Sequence, residues 1–274
     1  MPSSHQKAPV YHIAIHRAGP DVSMDEFKTN MRVLADKWLN LPQSKKFARS
    51  CDLIFMNNMM DGYVKVAGLP DSRPIFIGKG EYENAESITE VSVHQIMNST
   101  VKPSDYLLQL NKLPETVKYF KHPEYHADRD VTTFVASADI KFERQSNLAS
   151  ANRAHCLAVL EVPEGRSAEE CERRLDLLLD RFLKRPVVQK NVLKLTLLRQ
   201  DSSMNHSLHE VGIFRFTKHT LIIHGEYANQ QDLMETMNVT EASLQELIVE
   251  ALKDFNTSRT TGFGADVITI LEKN

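Results

Sequence analysis

IFIGKGEYEN (Ile75–Asn84) and LIIHGEYAN (Leu221–Asn229) are nearly the same strand and turn written twice, about 145 residues apart. An apolar run followed by Gly-Glu-Tyr-x-Asn at both places points to an internal repeat, provided the flanking segments agree.

They do agree. VYHIAIHRAGP (Val10–Pro20) aligns with RAHCLAVLEVP (Arg153–Pro163), which sets His12 on His155 and Pro20 on Pro163. Both read as a strand that ends in a Pro-containing turn. One extra residue in the second turn then sets Ser23 on Ser167, each an N-cap with Glu three residues on (Glu26, Glu170). Behind the caps, Met24, Phe27, Met31, Leu34, Trp38 and Leu41 alternate steps of three and four, one face of a helix. Ala168, Cys171, Leu175, Leu178 and Phe182 repeat the register, and Pro42 and Pro186 stop the two helices.

Candidate second strands follow at FARSCDLIFMN (Phe47–Asn57) and NVLKLTLLRQ (Asn191–Gln200), and then the two strands quoted above. A helical region is expected after each GEYxN, the more regular being VTEASLQELIVEALKDF (Val239–Phe255). VTTFVASADIKFE (Val131–Glu143) and GADVITILEK (Gly264–Lys273) read as final strands. The order β-α-β-β-α-β thus occurs twice, at 8–145 and 152–274. Each unit covers one face of its sheet with helices and leaves the other bare. The expected architecture is α+β: two tandem ferredoxin-like repeats whose bare faces meet in an intramolecular barrel with an interior cavity.

Composition limits the function. With 42% hydrophobic and 25% charged residues over 274 positions, the chain is ordinary globular protein. A net charge of −3 with no Lys/Arg block argues against nucleic acid or an anionic membrane as partner. No apolar run spans a bilayer and no apolar segment follows the polar N-terminus, so a cytoplasmic location is expected. Cys51, Cys156 and Cys171 lack CxxC spacing and read as buried thiols. Glycine-rich nucleotide loops and the GxSxG elbow are absent from the sequence.

The repeated pattern resembles the dimeric α/β-barrel superfamily, here with one chain supplying both halves. KYFKHPEYHADRDVTTFVASADIKFE (Lys118–Glu143) is similar to the end of EthD-type members, with His122 where Asp is usual. The resemblance implies a cavity that binds small aromatic or polyketide-like molecules. Its members include cofactor-free monooxygenases, polyketide cyclases, muconolactone-isomerase-like enzymes and some haem binders, so the fold narrows function little.

Strand alternation suggests which side chains face the lumen. With Tyr11, Ile13 and Ile15 assigned to the helix-covered face, His12 and His16 would point inward. By the same reasoning His224 and Glu226 would face the lumen, with Lys79 and Glu81 at the equivalent positions of the first copy. The candidate catalytic set is therefore His12, His16, His224 and Glu226, a His–Glu pair being suited to proton transfer near neutral pH. Tyr82 and Tyr227 would serve as hydrogen-bond donors, and His155, Lys79 and Glu81 would contact substrate. The plainer reading makes GEYxN a structural device: Gly for a bulge, Glu to cap the next helix, Asn for a turn. His12 and His16 lie about 13 Å apart by strand rise, too far to share a metal.

The expectation is a cofactor-independent acid/base enzyme (cyclisation, dehydration, decarboxylation or isomerisation) acting on a small hydrophobic metabolite. A non-catalytic ligand-binding or stress-response barrel and a haem-binding barrel are the alternatives. Homodimer formation is left open by the sequence.

Overall fold

The computed structural model describes residues 9–19, 22–39, 46–66, 73–84, 87–88, 131–210, 218–237, 249–250 and 253–273. Eight strands, β1 (Val10–Arg17), β2 (Ala48–Asn57), β3 (Ile75–Tyr82), β4 (Val131–Glu143), β5 (Ala154–Glu161), β6 (Val192–Gln200), β7 (Thr220–Tyr227) and β8 (Thr261–Glu272), close into one antiparallel barrel. The ring order is β1-β3-β2-β8-β5-β7-β6-β4. The described helices are α1 (Met24–Leu39), α2 (Asp61–Val66), α3 (Ala168–Leu183), α4 (Pro186–Asn191), α5 (Ser202–Glu210) and α6 (Gln230–Met237). Among the described residues no helix is long and apolar enough to cross a membrane.

Both caps form as the sequence predicts. Ser23 Oγ accepts from the Glu26 amide and Ser167 Oγ from the Glu170 amide, each at 3.3 Å. GEYxN ends a strand in each case, β3 and β7. The regular helix expected over Val239–Phe255 falls largely outside the described residues, as does the 118–130 part of Lys118–Glu143, whereas Val131–Glu143 forms β4. Instead α6 starts directly after β7, with Asn229 Oδ1 accepting from the Asp232 amide at 2.9 Å.

Two apolar layers define inside and outside. On the outside, α1 covers Cys51, Leu53, Phe55 and Phe76, and α3 covers Cys156, Leu195, Leu197 and Leu221. Tyr82 and Tyr227, each 1% exposed, belong to this outer packing and not to the lumen. Gly225 makes room for it, since a Cβ there would lie 3.0 Å from Cys156 Sγ and 3.2 Å from the Tyr227 ring. The three cysteines are buried and unpaired.

The inside is packed solid over its middle. Ile13, Ile15, Ile54, Ile77, Phe134, Leu157, Val159, Leu198, Ile222 and Phe263 form one cluster. The most exposed of them shows 4% of its surface, so these groups pack closely against one another. Among the described residues the middle of the lumen is thus filled by a side-chain core. Closure also differs from a face-to-face meeting: β2 pairs with β8 and β4 with β6, so the two sheets join through their edges and curl round the lumen.

Candidate functional site

Strand pairing decides which side chains reach the lumen. His12 lies across from Gly80 and His16 across from Phe76, with the His16 and Phe76 rings 5.8 Å apart. Phe76 packs under α1, so His12 and His16 sit on the helix-covered face, opposite to expectation. Tyr11, Ile13 and Ile15 point inward.

The reason is that the lumen is itself apolar and takes the isoleucines, and the alignment of the two copies is also one residue off. Cys156 pairs with Gly225 as His12 pairs with Gly80, and His155 pairs with Glu226 as Tyr11 pairs with Glu81. Tyr11, and not His12, is the counterpart of His155. Lys79 corresponds to His224 and Glu81 to Glu226, as expected.

Each of β1, β2 and β3 lies four places round the ring from β5, β6 and β7 respectively, so corresponding residues face one another across the barrel axis. The strand directions set Tyr11, Glu81, His155 and Glu226 at one end of the barrel. Beside them stand Asp52, across from Lys79 in the β2–β3 ladder, and Thr196, across from His224 in the β6–β7 ladder. Asp52, Thr196, Tyr11, Arg153 and Ser150 were not singled out from the sequence. Tyr11 and Asp52 became legible only once the register was known.

The contacts in this cluster are specific. His155 Nε2 lies 2.8 Å from the Ser150 carbonyl oxygen, and His155 Nδ1 lies 3.0 Å from His224 Nε2. A carbonyl only accepts, so His155 Nε2 carries a proton. In the neutral pair His155 Nδ1 must then accept from His224 Nε2–H, which leaves the lone pair of His224 on Nδ1. Arg153 Nη1 donates to Glu226 Oε2 at 2.7 Å, while Arg153 Nε and Nη2 hold the Leu148 carbonyl. Lys79 Nζ pairs with Asp52 Oδ2 at 2.8 Å. Tyr11 hydrogen-bonds Glu81, and burial together with that carboxylate pushes its hydroxyl pKa up to about 12.

Burial lowers the proton affinity of both imidazoles. For His155 the Ser150 carbonyl, Glu226 and Asp52 oppose the effect, and Arg153 adds to it. His224 is held well below the ordinary value by burial, then by Lys79, His155 and Lys194. On the outer face burial takes His12 and His16 from 6.5 to about 4.

The unfolded chain takes up these protons near pH 6.5, whereas the native protein refuses them until lower pH. Stability is thus fully present above about pH 6.5 and declines as pH falls, by up to about 1.4 kcal/mol per pH unit for each proton withheld. Thermal melting between pH 6.5 and 5, above the range where carboxylates dominate, should show Tm dropping with acidification. A flat Tm across that window would contradict the neutral, buried imidazoles.

A cleft of about 310 Å3 opens beside the cluster, bordered by Met59, Arg153, Ala154, Asn229, Ala265 and Asp266. Ala265 lies across from His155 in the β5–β8 ladder. Among the described residues no group of His, Cys, Asp and Glu side chains has the arrangement of a metal site.

Neither a family model nor a curated protein matches this sequence. Among solved structures, an anthrone oxidase-like protein superposes with a TM-score of 0.51 at 7% identity, over 96% of this chain and 92% of that one. A "putative monooxygenase" from Fusobacterium nucleatum gives 0.47 at 8% identity, over 97% and 95%. A chlorite dismutase from Candidatus Nitrospira defluvii gives 0.38 at 8% identity, over 94% and 90%. The first likeness, with the closed eight-strand ring, shows the dimeric α/β-barrel fold. The two weaker superpositions add nothing to that.

Proposed function

We propose that the polar end of the barrel is a general-base site acting on a small aromatic or polyketide-derived molecule with an acidic C–H bond. The observation that carries the reading is the buried His155–His224 hydrogen bond, with its proton positions set by the Ser150 carbonyl. His224 Nδ1 takes the substrate proton. The proton on His224 Nε2 can then pass to His155 Nδ1, so that the positive charge rests on His155. There Glu226, Asp52 and the Ser150 carbonyl stabilise it. Lys79 faces His224 across the axis. Its ammonium group, steadied by Asp52, keeps His224 neutral and offers a counter-charge to the enolate or phenolate that forms.

In this reading the working unit is one shared lumen assembled from two fused half-barrels, 8–145 and 152–274. Tyr11, Lys79 and Glu81 come from the first half, His155, His224 and Glu226 from the second. A carrier would need an apolar cavity, and the packed middle of the barrel speaks against it. The residues also fit a haem poorly: the ring face of a macrocycle needs an apolar slot beside the ligating nitrogen, and His224 Nε2 is already engaged by His155.

The test is proton abstraction from 5-nitrobenzisoxazole, a small aromatic carbon acid whose ring opening releases a yellow phenolate. The native protein should exceed an equal concentration of free imidazole, and His224→Gln should lower the rate tenfold or more, within the range typical of general-base catalysis. A native rate no higher than imidazole, or an undiminished rate in the variant, would sink the proposal.

A further inference from the structure

At the end of the barrel opposite the histidine pair, a second group of side chains is left unused by that chemistry. Ser202 is the first residue of α5 and is exposed. Its Oγ lies 3.5 Å from His219 Nδ1, and His219 Nε2 lies 2.7 Å from Glu172 Oε1 on α3. The three come from separate elements brought together where β6 ends and β7 begins.

The proton positions follow from the acceptor chemistry. The contact with His219 holds the Glu172 carboxyl below its usual range, and Arg199 Nη1 donates to its other oxygen at 2.9 Å. Glu172 is therefore an ionised acceptor. His219 must present Nε2–H to it and turn the bare lone pair of Nδ1 toward the hydroxyl of Ser202. A hydroxyl, an imidazole base and an orienting carboxylate in that order are what an activated serine nucleophile requires. The 3.5 Å separation is long for a hydrogen bond, as such contacts often are before a substrate tightens them.

We propose that Ser202, His219 and Glu172 form a second, esterase-type site for small uncharged carboxylic esters. Ser202 Oγ bonds to the ester carbonyl carbon as its proton passes to His219 Nδ1. The alcohol leaves when the C–O ester bond breaks, taking that proton back. Water, deprotonated by the same imidazole, then releases the carboxylic acid and restores the serine. Preference for an uncharged acyl group follows from Asp201, whose carboxylate is fixed beside Ser202 by the Ser203 hydroxyl at 2.8 Å and the Met204 amide at 3.0 Å. A negatively charged substrate would meet it.

The experiment uses diisopropyl fluorophosphate on the full chain, with intact-mass analysis and peptide mapping. Oγ bonds to phosphorus, fluoride leaves, and His219 takes the hydroxyl proton. One adduct on Ser202 is expected, absent in Ser202→Ala and slowed at least tenfold in His219→Gln. p-Nitrophenyl acetate should give a burst of nitrophenolate that follows the same pattern. Ser202 is exposed, so its alanine variant folds, and melting curves confirm this for each variant. No adduct, an adduct elsewhere, or labelling of His219→Gln at the native rate would overturn the proposal. The benzisoxazole assay reports on the opposite end of the barrel, so failure of either reading can be told from failure of the other.

Discussion

Replacing Phe263 with alanine is expected to cost about 3–5 kcal/mol of folding stability. Phe263 is 1% exposed at the centre of the lumen, and Leu157 lies directly across from it in the ladder. Phe134 on β4, across from Ile13, is fully buried in the same cluster. Truncation removes the transfer free energy of the ring and leaves a void. The surrounding wall is a closed ring of hydrogen-bonded strands, which cannot collapse to fill the space as a surface helix might. The measurement is urea unfolding: the midpoint should fall sharply at unchanged m, because the same surface is exposed on unfolding. Phe263→Leu, which keeps most of the volume, should lose roughly 1 kcal/mol. A loss below that for the alanine variant would mean that the middle of the barrel is loosely filled, and the argument against a carrier cavity would go with it.

Arg153→Ala is the second large effect, and it joins stability to the proposed chemistry. Arg153 pairs with Glu226 while pinning the Leu148 carbonyl, and the two side chains are 17% and 10% exposed. Removing the guanidinium leaves a largely buried carboxylate without its cation. A fully buried pair broken this way costs about 3–5 kcal/mol; some water reaches both groups here, so roughly 2–3 kcal/mol is expected. The sign of the accompanying proton effect is also fixed. Arg153 lowers the affinity of His155 for a proton and Glu226 raises it. Deleting Arg153 therefore leaves Glu226 unopposed by it, beside the Ser150 carbonyl and Asp52, and the pair should protonate at higher pH. The imidazole C–H resonances of His155 and His224 would record the shift in an NMR titration. Arg153→Ala combined with Glu226→Gln should recover part of the lost stability and cancel the rise. If the single variant titrates as the native protein does, Glu226 is not the group that supports the charge on His155.

Much of the barrel was legible from GEYxN and the two capped helices, because caps and helical periodicity are local chemistry that tertiary packing reinforces. Val131–Glu143 was read with its observed bounds for the same reason: the run of β-formers has no competing pattern. The face of β1 was not legible. VYHIAIHR alternates two histidines with Tyr, Ile and Ile, and sequence alone favours giving the isoleucines to the helices. In the folded chain the lumen is as apolar as the outer layer, so polarity does not tell the two faces apart. The identical residue at His12 and His155 favours an alignment one residue away from the paired one. Only pairing to a glycine, Gly80 or Gly225, fixes the register, and that is a long-range fact. Tyr11, Asp52 and the His155–His224 contact are hidden by the same step, whereas the strand face of His224 and Glu226 is legible because GEY ends β7.

The pairing of β2 with β8 joins residues 48–57 to residues 261–272, strands far apart in sequence. During synthesis, β2 cannot meet this neighbour until β8 has emerged, so β2 waits with a bare, hydrogen-bond-hungry edge. A sheet that depends on contacts so distant in sequence closes slowly, because the entropy of a very long loop is lost before the pairing is gained. Strand β8 therefore acts as a latch, and the protein is vulnerable to wrong partners for as long as translation leaves it unfastened.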